Sequence, residues 1–276
     1  NDTENSIVFV MPSAIITGGS QGIGKETALL FARKGYDLVL TARQAETLEA
    51  TAAEVRAVGT KVLAVTCDVS QEAEVNNLIS KALEYFGSID VLINNAGVCM
   101  TGPIENTSLD DWHRVMDVNV WGYIHTIHAL LPHFLVRSAG TIINVGSIGG
   151  KLPLPEMTVY CASKYAITGL TETLRLELKP KGIHVGAVHP SATNSNFMER
   201  AQFRGSSEQE AEKRRNSMAS FLESPAASKP EDVANAVWDA VKHQKDEVVV
   251  GSGSIMSAAY KFFPGLMQFA MQTSKQ

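Results

Sequence analysis

The sequence predicts a single-domain α/β fold in which helices cover both faces of one parallel β-sheet. Short apolar runs rich in β-branched residues alternate with longer amphipathic stretches, which is typical of repeated strand–helix units. The short runs are apolar at consecutive positions, so both faces of the sheet are expected to be covered. Gly35, Gly59 and Gly87 stand where helices should end, and each suits a left-handed C-terminal cap. Together these observations favour a doubly wound parallel sheet.

The predicted elements follow one another without an internal repeat or a low-complexity linker, so one domain spanning residues 11–251 accounts for them. The candidate strands are Ala14–Thr17, Asp37–Thr41, Lys61–Thr66, Val91–Asn94, Thr141–Val145, His184–Val188 and Glu247–Gly251. The candidate helices lie near Ile23–Lys34, Glu46–Val58, Glu72–Phe86, Leu109–Val136, Val159–Lys179 and Pro230–His243.

Three segments fall outside this alternation. Residues 1–10 contain no basic region, so they are expected to be a disordered segment or an artificial extension before a native start at Met11 rather than a secretory signal. Residues 196–228 form a polar insertion that we expect to act as a substrate loop, and Glu208–Arg215 favours an exposed helix within it. Residues 252–276 form an apolar tail that we expect to be buried against the domain or a second copy, with peripheral membrane contact as the alternative.

Composition narrows the class of protein. A chain of 276 residues with 45% hydrophobic and 19% charged residues can bury a substantial core, which excludes a disordered, highly charged protein. The net charge of −5 argues against nucleic acid as the main partner. Three scattered cysteines favour a reducing compartment, and hence a cytoplasmic location, and no apolar run is long enough to span a membrane. His125 and His128 share a helix face without a third ligand, so no metal site is expected.

A glycine-rich turn follows the first candidate strand and opens the first helix. Glycines at this point allow a tight turn and a close approach of the backbone to a pyrophosphate, and the helix N-terminus favours an anion. The spacing differs from the common G-x-G-x-x-G fingerprint and from a P-loop, so the strand–turn–helix context carries the prediction of a dinucleotide site. The predicted cofactor contacts in this turn are Gly18, Ser20, Gln21, Gly22, Ile23 and Gly24.

The residues that follow the second strand favour NADP(H). A protein that selects NAD usually places an acid about 20 residues after the glycines, where it holds the ribose 2′-hydroxyl. This chain has Ala42 and then Arg43 at that position. Arginine can form charge-assisted, bidentate bonds with a 2′-phosphate. Arg43 is therefore the candidate 2′-phosphate ligand, and an ordinary surface cation is the alternative.

Tyr160 and Lys164 are one helical turn apart, so both project from one face of a helix. A phenol with a pKa near ~10 does not readily ionise at neutral pH. Lowering that pKa towards ~7 requires about 4 kcal/mol of preferential anion stabilisation, which a nearby ammonium and an oxidised nicotinamide could supply together. The pair therefore predicts acid–base chemistry beside a nicotinamide.

From Ala14 to about Gly251 the order and spacing of these motifs resemble the short-chain dehydrogenase/reductase family. Besides the glycine turn and the Tyr160–Lys164 pair, three motifs carry the resemblance: Asn94-Asn95-Ala96-Gly97, Asn119 in Asp117-Val118-Asn119-Val120, and Ser147 after the fifth strand. The resemblance implies a Rossmann-type fold, nicotinamide chemistry and a homodimer or homotetramer. The further cofactor contacts that it implies are Asp68, Val69, Asn95, Ala96, Gly97, Tyr160, Lys164, Pro190 and Ser195.

The same resemblance implies a role for each catalytic residue. Tyr160 acts as general acid in reduction and as base in oxidation. Lys164 lowers the phenol pKa and holds the ribose, Ser147 binds the substrate oxygen, and Asn119 holds a water for proton resupply. The chain departs from the family at Pro190-Ser191, where Pro-Gly is usual, and this raises a question about the backbone near the nicotinamide.

The sequence therefore predicts an NADP(H)-dependent oxidoreductase that interconverts a ketone or aldehyde and an alcohol by hydride transfer. Apolar residues within 196–228 suggest a small-molecule substrate with hydrophobic bulk. Two alternatives stay open at this point. One is an NAD(H)-linked alcohol dehydrogenase of the same fold, and the other is a catalytically silent nucleotide-sensing protein.

Overall fold

A seven-stranded parallel sheet forms the centre of the molecule, in the order β3-β2-β1-β4-β6-β7-β9. The computed structural model describes residues 11–195, 197–198, 200–224 and 227–273, with side chains described through residue 269, so the predictions for residues 1–10 lie outside the described residues. The strands are β1 Ser13–Thr17, β2 Asp37–Ala42, β3 Val62–Thr66, β4 Val91–Asn94, β5 Met100–Thr101, β6 Gly140–Val145, β7 Ile183–Pro190, β8 Gln202–Phe203 and β9 Glu247–Val250. The seven predicted strands are thus confirmed, with ends that shift by one or two residues. The short strands β5 and β8 pair separately with each other.

Helices lie on both faces of this sheet, as the sequence predicts. They are α1 Gly22–Arg33, α2 Ala45–Arg56, α3 Glu72–Phe86, α4 Leu109–Met116, α5 Gly122–Arg137, α6 Thr158–Leu178, α7 Glu208–Leu222, α8 Pro230–Lys242, α9 Gly253–Phe262 and α10 Pro264–Thr273. The helix predicted over Leu109–Val136 is in fact divided, because a π-helical turn at Asp117–Trp121 separates α4 from α5. Such turns are rare and are frequently found at functional sites.

Alternate residues of each strand bury their side chains in two separate hydrophobic cores. On β1, Ile15 packs with Leu92 on one face, whereas its neighbour Ile16 packs with Leu40 on the other. All four side chains are fully buried. The continuous apolar runs in the sequence follow directly from this arrangement, since a strand covered on both faces has no side facing water.

The insertion at residues 196–228 is anchored to the domain at two described points. Strand β8 pairs with β5, and the Arg204 guanidinium donates to the buried Asp111 carboxylate at 2.6 Å. The exposed helix predicted around Glu208–Arg215 is confirmed as part of α7, where Glu210 and Arg214 pair at 2.6 Å. The insertion is therefore a structured flap rather than a loop without secondary structure.

The apolar tail forms two helices whose hydrophobic side chains are largely exposed. Phe262 is 72% exposed and Leu266 is 68% exposed. The expectation that this tail is buried against its own domain is therefore wrong for these side chains, while burial in a second copy and contact with a membrane stay untested predictions. None of the described helices is both long and apolar enough to cross a membrane.

Candidate active site

A cleft of about 1140 Å³ lies at the carboxyl ends of the central strands. Strands β1 and β4 are neighbours there, and the chain order reverses between them. In open parallel sheets this reversal creates the crevice in which ligands bind. Gly18 after β1, Asn95 after β4, Ser147 after β6 and Pro190 at the end of β7 all line the cleft. The topology thus gathers most of the predicted site residues along one edge of the sheet.

The glycine turn has the backbone shape that the sequence predicts. Gly18 and Gly22 adopt left-handed φ angles of 66° and 53°, which glycine accepts without strain. A Cβ atom on Gly24 would lie 2.1 Å from the Gly18 carbonyl oxygen, so only glycine allows this close packing. The turn therefore leaves its backbone open to a ligand at the N-terminus of α1.

Asn95 holds this turn against the end of β4. Its side-chain amide donates to the Thr17 carbonyl oxygen at 2.9 Å. In return the Thr17 hydroxyl accepts from the backbone amides of Asn95 at 2.9 Å and Ala96 at 3.0 Å. Asn95 and Ala96 line the cleft beside the turn, together with Gly97. The Asn94–Gly97 motif thus fixes the shape of the turn as well as bordering it.

The residues around the turn fit a dinucleotide. Gln21 precedes α1 with an extended backbone and makes no side-chain capping bond to it, so the N-terminal amides of α1 have no side-chain acceptor there. These amides, together with the space that the glycines leave because they have no side chains, provide a cradle for phosphate oxygens. The predicted contacts Ser20, Ile23 and Ser195 line the same part of the cleft.

Arg43 is exposed and lines the wall of the cleft immediately after β2. Asp68 and Val69 line the neighbouring wall after β3. The Asp68 carboxylate accepts from the Ser70 backbone amide at 3.0 Å and from its hydroxyl at 2.8 Å, so the turn between β3 and α3 is fixed. No carboxylate occupies the end of β2, since Ala42 stands there.

Tyr160, Lys164 and Ser147 lie together at one end of the cleft. Lys164 and Tyr160 come from the first turns of α6, and the Lys164 ammonium is 5.9 Å from the centre of the Tyr160 ring. The Ser147 hydroxyl accepts from the Gly149 backbone amide at 3.1 Å, which orients it within a short 3-10 turn. The three side chains are buried yet border the cleft.

Burial controls the ionisation of this cluster in the absence of ligand. It raises the pKa of the Tyr160 phenol above its ordinary value, which the neighbouring Cys99 thiol reinforces and a hydrogen bond with Ser147 opposes. Burial also lowers the pKa of the Lys164 ammonium to about 8. The phenol is therefore neutral at physiological pH and carries the proton that a general acid needs.

The Lys164 ammonium is held by a backbone carbonyl rather than by a carboxylate. It donates to the Val145 carbonyl oxygen at 3.0 Å. The Tyr123 hydroxyl donates to the same oxygen at 2.8 Å, and the Tyr123 ring centre is 5.5 Å from the ammonium. The sequence analysis did not identify Tyr123, because its position on α5 carries no motif that points to Lys164.

Asn119 lies in the π-helical turn, and both the nitrogen and the oxygen of its side-chain amide form hydrogen bonds with other residues. Its amide nitrogen donates to the Val98 carbonyl at 2.9 Å and to the Ser163 hydroxyl at 3.0 Å. Its amide oxygen accepts from the Val98 backbone amide at 2.8 Å. Both amide hydrogens are thus used, so a water at this point would need the Asn119 backbone or the free lone pair of the amide oxygen.

The unusual Pro190-Ser191 pair is accommodated without strain. The Ser191 backbone amide donates to the Val250 carbonyl oxygen at 3.1 Å, which continues the pairing of the sheet. The backbone φ angle of Ser191 is not positive. Its hydroxyl lies 3.3 Å from that of Ser228. The structure therefore has no requirement for glycine at this position, and the segment proceeds to Ser195 at the cleft.

Comparison with known proteins identifies the family. A family model described as short chain dehydrogenase matches residues 12–204. The chain belongs to this family. An uncharacterised oxidoreductase of Listeria monocytogenes is 36% identical over 187 residues, which cover 67% of this chain and 75% of the relative. This short-chain dehydrogenase is accordingly an oxidoreductase.

Solved structures of short-chain dehydrogenases resemble this chain over most of its length. A Burkholderia phymatum enzyme in complex with NAD has a TM-score of 0.80 at 30% identity, covering 87% of this chain and 89% of its own. A Sphingobium yanoikuyae enzyme in complex with NADPH has a TM-score of 0.76 at 29% identity, covering 94% and 96%. Family members therefore bind either dinucleotide.

Other residues of this short-chain dehydrogenase border the site without having been predicted as contacts. Cys99 is buried in the cleft wall, and the Phe197 ring centre is 6.3 Å from that of Tyr160. Arg200 reaches the glycine turn from the insertion. The neighbours of Cys99 and Arg200 are far away in the sequence, so no local pattern identifies these two residues, whereas Phe197 is one of the apolar residues of 196–228 from which a hydrophobic substrate is expected. The His125 ring donates from Nδ1 to the Val69 carbonyl oxygen, and the described residues contain no cluster of three or more potential metal ligands.

Proposed function

We propose that this short-chain dehydrogenase uses NADP(H) to interconvert a ketone or aldehyde and an alcohol by hydride transfer. One observation carries the proposal. Tyr160, Ser147 and Lys164 meet at one end of a cleft that is also lined by the open glycine turn. A dinucleotide seated on that turn and extended along the cleft brings its nicotinamide to the buried phenol.

The chain's own groups supply binding and proton transfer. When bound, the nicotinamide supplies or accepts the hydride. The Ser147 hydroxyl donates to the substrate oxygen and stabilises the negative charge that develops on it. The neutral Tyr160 phenol protonates that oxygen in reduction and accepts the proton in oxidation. Lys164 provides positive charge next to the phenol, which favours the anion left behind.

Arg43 supports NADP(H) over NAD(H). It stands at the end of β2, where an NAD-selective protein carries an acid, and an arginine there attracts a 2′-phosphate. Among the described residues, no ion pair engages its guanidinium. An NAD(H)-linked enzyme is the second candidate, and the Burkholderia neighbour with bound NAD favours it.

The walls around Tyr160 support a substrate with hydrophobic bulk. The flap contributes Phe197, Met198, Phe203 and Met218 to the cleft, and Leu154 faces them from the segment after β6. Apolar walls bind apolar groups and exclude water from the path of the hydride. Assembly as a homodimer or homotetramer, and a cytoplasmic location, stay predictions.

The decisive experiment follows NADPH oxidation with a panel of hydrophobic ketones and aldehydes. We expect wild-type protein to reduce members of the panel and Tyr160→Phe to lose about 10²–10⁴-fold in rate, because it removes the general acid. Tyr85→Phe is the matched control, since Tyr85 is exposed on α3 away from the cleft. Equal slow rates for wild type and Tyr160→Phe would instead favour the nucleotide-sensing alternative.

A further inference from the structure

The guanidinium of Arg200 lies over the glycine turn, although the two are far apart in the sequence. With the Gln21 amide oriented so that its oxygen faces the cation, this oxygen accepts from Arg200 Nη1 at 2.8 Å and from Nε and Nη2 at 3.2 Å. Both residues line the cleft. The flap thus reaches back to the point where α1 begins.

Gln21 marks the anion-binding end of α1. It is the residue immediately before the helix, and its side chain makes no capping bond to the helix amides. Gly22 and Ile23, which follow it, line the cleft with the first amides of the helix. A helix N-terminus attracts negative charge, and Arg200 adds a full positive charge beside it.

The start of the flap crosses the same turn. A Cβ atom on Gly22 would lie 3.3 Å from the Cβ of Ser195, so this part of the backbone packs directly on the turn. Five residues later the chain places the Arg200 side chain on Gln21. Two independent contacts therefore hold Ser195 and Arg200 beside the cradle for phosphate oxygens.

Arg200 is positioned to bind an anion at the start of α1, since its guanidinium lies on Gln21, the residue immediately before the helix. A charge-assisted, bidentate bond between arginine and phosphate is roughly twice as strong as a bond between neutral groups. We propose that Arg200 binds the pyrophosphate of the dinucleotide and thereby ties the flap to the cofactor. This inference rests on the proposed dinucleotide binding, and it assigns to the flap a role that the sequence analysis gave to the glycine turn alone.

Lys164 and the other arginines along the cleft have different places. Arg43 stands at the adenosine end, and Lys164 lies beside Tyr160 at the opposite end. Arg214 is engaged in ion pairs with Glu156 and Glu210. Among the arginines that the structure describes, Arg200 is thus the one that lies over the N-terminus of α1, between these two ends of the cleft.

Cofactor binding and formation of the substrate pocket become coupled as a result. Phe197 and Met198 stand between Ser195 and Arg200 and form part of the apolar wall at Tyr160. Beyond Arg200, the flap is fixed by the pairing of β8 with β5. Holding Arg200 on the pyrophosphate therefore fixes this wall, and by linkage a fixed wall strengthens dinucleotide binding.

Calorimetric titration of Arg200→Gln with NADPH, NADH and adenosine 2′-monophosphate tests the assignment. We expect about tenfold to hundredfold weaker binding of both dinucleotides and unchanged binding of the mononucleotide, which has no pyrophosphate. Arg200→Lys should recover part of the loss. Arg33→Gln is the matched control, because Arg33 is an exposed arginine at the far end of α1 and does not line the cleft. Unchanged dinucleotide affinities, or a loss confined to NADPH, would overturn the assignment.

Hydrogen exchange of the backbone amides in residues 197–205 gives a readout that is independent of turnover. NADH should slow this exchange in wild-type protein and leave it unchanged in Arg200→Gln. Equal protection in both proteins would contradict the coupling. If wild-type protein binds neither dinucleotide, the proposed function fails as well, whereas tight binding by wild type and Arg200→Gln alike would refute only the role of Arg200.

Discussion

The Asn119 side-chain amide donates to the Ser163 hydroxyl at 3.0 Å, and this bond joins the π-helical turn to α6 one residue before Lys164. The Ser163 hydroxyl in turn donates to the Tyr160 carbonyl at 2.7 Å. Asn119 is thus connected to the backbone that carries the phenol and the ammonium. Its position, fully buried between the end of β4 and α6, indicates that it orients the helix that carries Tyr160 and Lys164.

Replacement of Asn119 by alanine should therefore destabilise the protein. The Val98 backbone amide and carbonyl, both hydrogen-bonded to Asn119, would lose their partner. Each buried polar group left unsatisfied costs about 1–3 kcal/mol. Urea denaturation would measure the change in the free energy of unfolding.

Ser163→Ala is the matched control for Asn119→Ala, since it removes the bond between the two side chains and leaves both Val98 bonds in place. We expect Ser163→Ala to lose less stability than Asn119→Ala. If the two variants unfolded at the same urea concentration with equal m-values, the bonds to Val98 would not contribute to stability.

The buried Lys164 ammonium should make the stability of the ligand-free protein depend on pH. Burial lowers its pKa from 10.5 to about 8, so between these pH values the unfolded chain binds a proton that the folded chain has released. The free energy of unfolding should consequently rise with pH across that window, by about 3 kcal/mol in total. Below the window Lys164 is protonated in both the folded and the unfolded chain, so this gain in stability should be absent.

Urea denaturation over that pH range, with wild type and Lys164→Met compared, isolates this contribution from those of other groups. The difference between the two unfolding free energies should change steadily from about pH 8 to about 10.5. Lys181→Met, which alters an exposed lysine just after α6, should follow the wild-type curve. Parallel curves for wild type and Lys164→Met would show that burial does not lower the pKa of Lys164.

Much of the fold could be predicted because its signals are local. Continuous apolar runs such as Ile15-Ile16 reveal strands covered on both faces, and glycine turns reveal where helices start and end. The π-helical turn at Asp117–Trp121 could not be predicted, because it changes the hydrogen-bond pattern of a helix without changing its apolar periodicity. The pairing of β5 with β8 involves only two residues in each strand, which is too short for a periodic pattern.

The residues of the candidate site likewise divide into those that a local sequence pattern predicts and those that depend on how distant segments pack. Tyr160 and Lys164 are visible in the sequence because they occupy one face of one helix. Tyr123 and Arg200 reach the site from distant segments, and their contacts depend on how these segments pack. The exposure of Phe262 likewise could not be read from its apolar character, because hydrophobicity favours burial without specifying the surface that provides it.

Arg43 should determine the preference between the two dinucleotides. Arg43→Ala removes the cation at the end of β2, so NADPH binding should weaken by roughly 1.5–3 kcal/mol while NADH binding stays nearly unchanged. Fluorescence titration with both nucleotides measures the two changes. Arg33→Ala removes an exposed cation at the far end of α1 and should alter neither affinity. Equal losses for NADPH and NADH would contradict the assignment of Arg43 to the 2′-phosphate.

Two glycine-to-alanine substitutions should have opposite effects on stability. On Gly24, the added methyl group would lie 2.1 Å from the Gly18 carbonyl oxygen and 2.7 Å from the Asn95 side-chain nitrogen, so the turn must shift. Overpacking of this kind costs about 1–3 kcal/mol, and displacement of the turn should also weaken NADPH binding.

Gly169→Ala provides the contrast, since Gly169 lies within α6 and a Cβ atom there would meet nothing within 4 Å. Alanine at this helical position should stabilise the protein by about 0.5–1 kcal/mol and leave NADPH binding unchanged. Urea denaturation and nucleotide titration of both variants would check the pair. Normal NADPH binding by Gly24→Ala would mean that the close packing of the turn on α1 is not what shapes the phosphate cradle.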